Sequence, residues 1–546
     1  MGFMKILAYL VNSTLSGTEL NSSELNATEQ EQKLVNDLLI SNERGENGLY
    51  RALTTQNSAA SGNIKIHLDA LAQAGFFTAP SATTNKKSLI CAIFKIGEYS
   101  SSVLGEAMWN PDALQQILIA LEKADCFNTE HNQQAFIDAL VSTNFIGKSP
   151  LHIAAHDYTS LKQVNDYLKK TNCYTHPENK QKLIDAIFLP NLNGENALFN
   201  ACHNNNGECI SLLLDMLTHA GCFEGLPGSK NQQAFVNAVF AANENQMSSL
   251  FYLYNKSQIL HQLMKIKYLE GPFAELNKQN LTKVLFSEAK IGKYHQGNAF
   301  AANSRWQLFP VVMEHLAAAD CFSAESPYSK QFIQAVFAKT RYAQNLLSDM
   351  YHPEKIILLL NKLTEAGCFS DEATKKQFRD AVRADGNAIL SRVIRGDCRV
   401  YLRLHQCLRA AGFTAQDIKQ LLNEPVVLKF DYWEIATPLM IALLRKHNLL
   451  AARLIADGAE LTESQKQQVE CALKDQQQAE AAVAPLDRAT IKRELIQTEK
   501  NAPYKKPKLE KTASLSDLSL FAEKKSANPI PHVTSDDGFI KRITPR

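Results

Sequence analysis

The sequence predicts an all-α solenoid of helical repeats, with three-helix units of about 48 residues and a disordered C-terminal tail. Three observations predict it. A short phrase (two mostly apolar residues, a polar one, Ala, an apolar one) starts ten times between residues 34 and 469. Its mean spacing is about 48 residues, inside the range of repeat architectures. A second phrase, Cys followed by an aromatic residue, keeps step with it. The stretches between them carry apolar residues at helical spacing. Self-similarity at a fixed period of this size marks a repeat array, in which each unit buries its apolar face against its neighbours.

Taken in order, a unit opens on a third phrase. It reads Gly45-Glu46-Asn47-Gly48-Leu49, Gly147-Lys148-Ser149-Pro150-Leu151-His152-Ile153-Ala154-Ala155, Gly194-Glu195-Asn196-Ala197-Leu198, Gly386-Asn387-Ala388-Ile389-Leu390 and Thr437-Pro438-Leu439. Ser149-Pro150 and Thr437-Pro438 are helix starts: a hydroxyl that can cap, then Pro where a missing N–H costs nothing. A longer helix follows, with Leu161, Val164 and Leu168 on one face, and Ile210, Leu213, Leu214 and Leu217 in the next unit. Gly221 and Gly367 suit its left-handed end, since Gly has no Cβ penalty there.

The third helix carries the Ala phrase, clearest at Phe136–Leu140, Leu183–Ile187, Phe235–Val239, Phe332–Val336 and Phe378–Val382. Small Ala and Cys belong where helices approach closely and larger side chains would overpack. Cys126, Cys173, Cys222, Cys321 and Cys368 recur with the repeat and are therefore expected to be buried structural thiols.

Composition agrees and excludes several classes. With 45% apolar and 21% charged residues, the 546-residue chain can bury a core. The net charge of +2 carries no nucleic-acid signature, but it divides into −3 over residues 1–486 and +5 over 487–546. Eleven cysteines without a CxxC pair imply a reducing, intracellular setting. No apolar run approaches the roughly 18 residues that span a bilayer. Residues 1–11 have one apolar stretch, Ile6–Val11, short for a secretory segment and without a convincing cleavage site, so neither a cleaved signal nor a membrane anchor is expected.

Gly147 to Ala155 resembles the ankyrin signature Gly-x-Thr-Pro-Leu-His-x-Ala-Ala, matched at Gly147, Pro150, Leu151, His152, Ala154 and Ala155, with Ser149 standing for Thr. The resemblance implies stacked helices that bind other proteins through a concave side and projecting turns, with His152 hydrogen-bonded between turns. The period departs from the family's 33 residues, and the excess of about 15 fits one additional helix. A HEAT-like or armadillo-like solenoid is the alternative. Gly147-Lys148-Ser149 also invites a phosphate-loop reading, but the Gly needed five residues earlier is Ser142. Other chemistry is thin: no HExxH, no zinc spacing, no GxSxG and no EF-hand loop. Cys202-His203 reads as a core thiol beside a surface His. Trp109, Trp306 and Trp433 read as packing residues, with Trp306 a candidate partner anchor.

In the tail, Lys492-Arg493 and, eleven residues on, Lys505-Lys506-Pro507-Lys508 resemble a bipartite nuclear localisation signal. Degenerate ankyrin-like repeats, Asn/Gln-rich loops and a short polar tail resemble type IV-secreted ankyrin effectors of intracellular bacteria; Ile543 and Asp536-Asp537 are compatible with the family's C-terminal export signal.

The expected organisation is an N-terminal segment, 1–28, an ankyrin-like α-solenoid, 29–474, and a linker with a basic tail, 475–546. The expected function is that of a monomeric, non-enzymatic scaffold without metal or cofactor. It would be translocated into a host cell, bind host proteins in cytoplasm or nucleus, engage a nuclear import adaptor, and contact neither membrane nor nucleic acid directly. Repeat loops and first-helix residues would form its preformed surface. An enzyme with a site assembled between repeats, or a structural protein internal to a bacterium, are the alternatives.

Overall fold

A computed structural model describes residues 35–474, apart from 55–59, 74–75, 79–81, 98–100, 254–256, 292–293, 305–306, 339–344, 351, 396–397, 425 and 428–434. The chain divides between Ala484 and Pro485 into two units, and every described residue belongs to the first. That unit is mostly helical. Its helices recur in the order short, long, third: Pro150–Ala154, Tyr158–Lys170 and Pro177–Phe188, then Ala197–His203, Gly207–His219 and Lys230–Phe240. Short helices pack on short ones in the next group, long on long, and third on third. The predicted all-α class therefore holds, with two small exceptions. Glu288–Ile291 pairs antiparallel with Tyr294–Asn298, and Val426–Val427 with Ile435–Ala436.

The long helices end as Gly221 and Gly367 suggested, and the same device extends to residues that the sequence did not flag. Asp125, Asp320 and Lys267 also hold positive φ, at 58°, 62° and 53°. In each case the following residue turns its N–H back onto a Leu carbonyl in the last helical turn: Cys126 to Leu121 and Cys321 to Leu316 at 2.9 Å, with Cys368 to Leu363 at 3.0 Å after Gly367. This 6→1 bond satisfies an otherwise orphaned carbonyl and drives the next side chain inward. The thiols of Cys126 and Cys222 then lie 3.6 and 3.4 Å from carbonyls in the first turn of the third helix. All five phrase cysteines are buried, and burial pushes their thiols up to about 12. As expected, they are packing groups.

One expected helix start holds without its cap, and another fails. Thr437 sits at the cap position before Pro438, but its hydroxyl makes no capping bond. Gly386-Asn387-Ala388 opens no new helix: Glu372–Arg395 runs straight through it. Five residues before the cap, where Asn42, Asn144, Asn191 and Asn243 stand, this group has Val382, whose side chain cannot accept the N–H groups of a turn.

The third helices also change which surface is available. They cover the short helices, so that Leu151, His152, Ile153 and Ala154, like Leu198, Phe199 and Cys202, are buried. These first-helix residues belong to the core, while Arg51, Thr54 and His203 of the short helices Gly48–Thr54 and Ala197–His203 stay exposed.

Candidate functional site

Between each third helix and the next short helix the chain makes a turn built on one Asn. The Asn144 Oδ1 accepts from the N–H groups of Ile146 and Lys148, at 3.2 and 2.9 Å. Asn191 does the same for Asn193 and Glu195, Asn243 for Asn245 and Met247, and Asn42 for Arg44 and Glu46. A short side-chain acceptor that reaches its own backbone two and four residues on is what Asn supplies in turns. The residue three after it takes positive φ: Gly45, Gly147, Gly194 and Gln246.

Neighbouring turns are bonded to one another. The Leu192 N–H donates to the Ile146 carbonyl at 3.2 Å, and the Glu244 N–H to the Asn193 carbonyl at 3.1 Å. A Cβ at Gly147 would lie 3.2 Å from Asn191 Cα, and one at Gly194 would lie 3.1 Å from Asn243 Cα. Glycine is required here twice over, for the left-handed backbone and for the close approach. The result is a column of turns held by main chain, and on it stand large apolar side chains: Phe145 is 62% exposed, Leu192 76%, Leu189 42% and Ile146 36%.

Below the column, five short helices are tied by a side chain to the third helix that follows. In the group that opens at Gly147 two residues share the task. The Ser149 hydroxyl caps the helix and lies 2.8 Å from His152 Nδ1, and the other ring nitrogen, Nε2, donates to the Leu189 carbonyl at 2.7 Å, 37 residues on. Burial pushes His152 down to about 4 although the Leu189 carbonyl opposes that shift, so the ring is neutral at pH 7. A neutral imidazole with one nitrogen accepting and the other donating is the form that this bridge needs. Gly147, Ser149, Pro150, Leu151, His152, Ala154 and Ala155 thus act together as turn, cap, bridge and core.

In four other groups a single Asn does both jobs. The Asn196 Oδ1 accepts from the Phe199 N–H at 2.9 Å, while its Nδ2 donates to the Ala238 carbonyl at 2.8 Å. Asn47 repeats this on Tyr50 and Ala92, Asn298 on Ala301 and Ala335, and Asn345 on Ser348 and Ala381. Every acceptor is the Ala of the Ala phrase. The recurrence of Gly-Glu-Asn was visible in the sequence, but its partner lies 36 to 45 residues away.

Other expected residues fall as follows. Cys202 is buried, while His203 lies on the surface with its ring 4.8 Å from that of Tyr252, so the two form no dyad. Trp109 is half-exposed against the His156 ring at 5.3 Å. Trp306, Trp433 and the basic residues Lys492, Arg493, Lys505, Lys506 and Lys508 lie outside the described residues. A groove of about 780 Å³ crosses the long helices, lined by Tyr158, Asn205, Glu208, Ser211, Asp215 and Gln258. Asp215 is already paired with Lys169 at 3.4 Å and His219 at 3.3 Å. Among the described residues no three His, Cys, Asp or Glu side chains are placed to hold a metal ion, and no helix is long and apolar enough to cross a membrane. The chain matches no protein-family model and no curated protein, and its function is read from this geometry.

Proposed function

We propose that this chain is a non-enzymatic protein-binding scaffold, an ankyrin-like α-solenoid of three-helix units of about 48 residues, with the column of turns as its contact surface. One observation carries the reading. Phe145, Ile146, Leu189 and Leu192 hold apolar surface in water on turns that main-chain hydrogen bonds lock together. Exposed apolar side chains gathered on a rigid backbone mark a binding surface, because little ordering entropy opposes association. The packing of each helix on its counterpart supports the solenoid, and the Ser149–His152 bridge supports the ankyrin kinship.

The wider proposal is an effector of an intracellular bacterium that binds host proteins, its tail carrying export information and a nuclear import signal in Lys492, Arg493, Lys505, Lys506 and Lys508. The test of the scaffold is quantitative affinity capture from host cells with Phe145→Asp/Leu192→Asp beside the parent chain. Partners retained by the parent are expected to fall at least tenfold with the variant, whose helical content should not change. Equal retention refutes the surface. Fusing residues 485–515 to a fluorescent reporter tests import, and a cytoplasmic reporter refutes it.

A further inference from the structure

The apolar strip on the turns has a candidate occupant within the same chain. Residues 3–11 read Phe-Met-Lys-Ile-Leu-Ala-Tyr-Leu-Val, eight apolar residues of nine, and lie outside the described residues. Residues 12–28 are mainly Ser, Thr, Asn and Glu, a composition suited to a tether. We propose that residues 3–11 dock on the strip formed by Phe145, Ile146, Leu189 and Leu192 and cover it until a partner displaces them.

Three observations support this occupant. First, the chemistry matches. The strip offers four large apolar side chains to solvent, and residues 3–11 carry Phe3, Ile6, Leu7 and Leu10, which gain by leaving water. Second, the one charge of the segment, Lys5, has a counterpart: Glu244 is exposed beside the strip, its N–H bonded to the Asn193 carbonyl next to Leu192. Third, the chain can reach. The described residues start at Val35, which leads through Leu38 and Leu39 into a turn of the same build at Asn42–Glu46. The 24 residues from Val11 to Val35 span at most about 80 Å when extended. Turns two or three groups along are separated by only about 20–30 Å if helices pack 8–10 Å apart. An intramolecular occupant at this reach has a high effective concentration and needs little intrinsic affinity.

The proposal rests on the strip being the partner surface, and its test separates the two. In the full-length purified chain, Phe145 is replaced by the photo-crosslinker p-benzoyl-phenylalanine, tolerable because the side chain is exposed, and Leu192 likewise in a second variant. Irradiation of the Phe145 variant without any partner is expected to join tryptic peptide 124–148 to peptide 6–33 within a monomer. Ile6→Asp/Leu10→Asp should lower that product at least tenfold and leave host-cell partner capture intact or raised. A crosslink migrating at twice the chain mass would mean that a second copy covers the strip, and no crosslink to 6–33 would mean that the strip is open; either result overturns the proposal. Undiminished partner capture by Phe145→Asp/Leu192→Asp would instead refute the surface itself.

Discussion

Replacing Asn196 isolates what one side chain contributes to joining two helices. Its Oδ1 caps the helix Ala197–His203 and its Nδ2 holds the buried Ala238 carbonyl at 2.8 Å. Asn196→Ala removes the cap, about 1 kcal/mol, and leaves that carbonyl buried without its donor, about 1–3 kcal/mol. The expected total is about 2–4 kcal/mol. Asn196→Ser keeps a capping oxygen, as Ser149 does, but cannot reach Ala238, so it should recover only the first part. A long repeat array does not unfold as one cooperative unit, so a global midpoint is the wrong measure. Hydrogen exchange by mass spectrometry reads the local loss directly. At a factor of ten per about 1.4 kcal/mol, Asn196→Ala should accelerate exchange in peptides from 197–240 by roughly 30- to 700-fold. Exchange of Asn196→Ser at the parent rate would refute the tie, since it would then contribute nothing. A change of less than about threefold in Asn196→Ala would refute cap and tie together.

Three further outcomes follow from the same geometry. Gly194→Ala should destabilise by more than about 1–2 kcal/mol, because φ is +82° and the new Cβ would press on Asn243 backbone, whereas Gln246→Gly, at the matching position with φ +60°, should stabilise; hydrogen-exchange rates in the peptides around each turn must move in opposite directions. His152 stays neutral in the folded chain down to about pH 4 but is protonated below about 6.5 when unfolded, so the unfolded chain binds the extra proton. Its share of stability is complete above about pH 6.5 and is lost as pH falls towards 4, up to about 3 kcal/mol; His152→Gln should be less stable at pH 7 yet lose less between pH 7 and 4.5, and parallel pH profiles would contradict the shift. Cys91, which is exposed, should react with a thiol reagent at least a hundredfold faster than Cys126, Cys173, Cys222, Cys321 and Cys368, as mapped by peptide mass spectrometry.

Features that depend on a few neighbouring residues could be read from the chain. The left-handed ends at Gly221 and Gly367, the Ser149-Pro150 start and the inward Cys-aromatic pairs are local: the capping carbonyl lies within one helical turn, and residue type limits the backbone. Features decided between groups could not. Nothing in Gly-Glu-Asn says that the Asn amide reaches an Ala carbonyl in the following third helix, though both recur in step. Gly386-Asn387 misled because it copied the phrase without the acceptor that makes the turn.

By itself the sequence determined the helical class, the recurrence, the thiols as core and the limit that left-handed backbone sets on each turn. Periodicity and capping act over three to seven residues, and these are written along the chain. Only the tertiary structure decided which side faces water. Covering the short helices with the third ones removes Leu151, His152 and Leu198 from any surface, and main-chain bonds between turns gather Phe145, Ile146, Leu189 and Leu192 there instead. Burial is a property of what packs against a residue, and those neighbours lie one group away in the sequence.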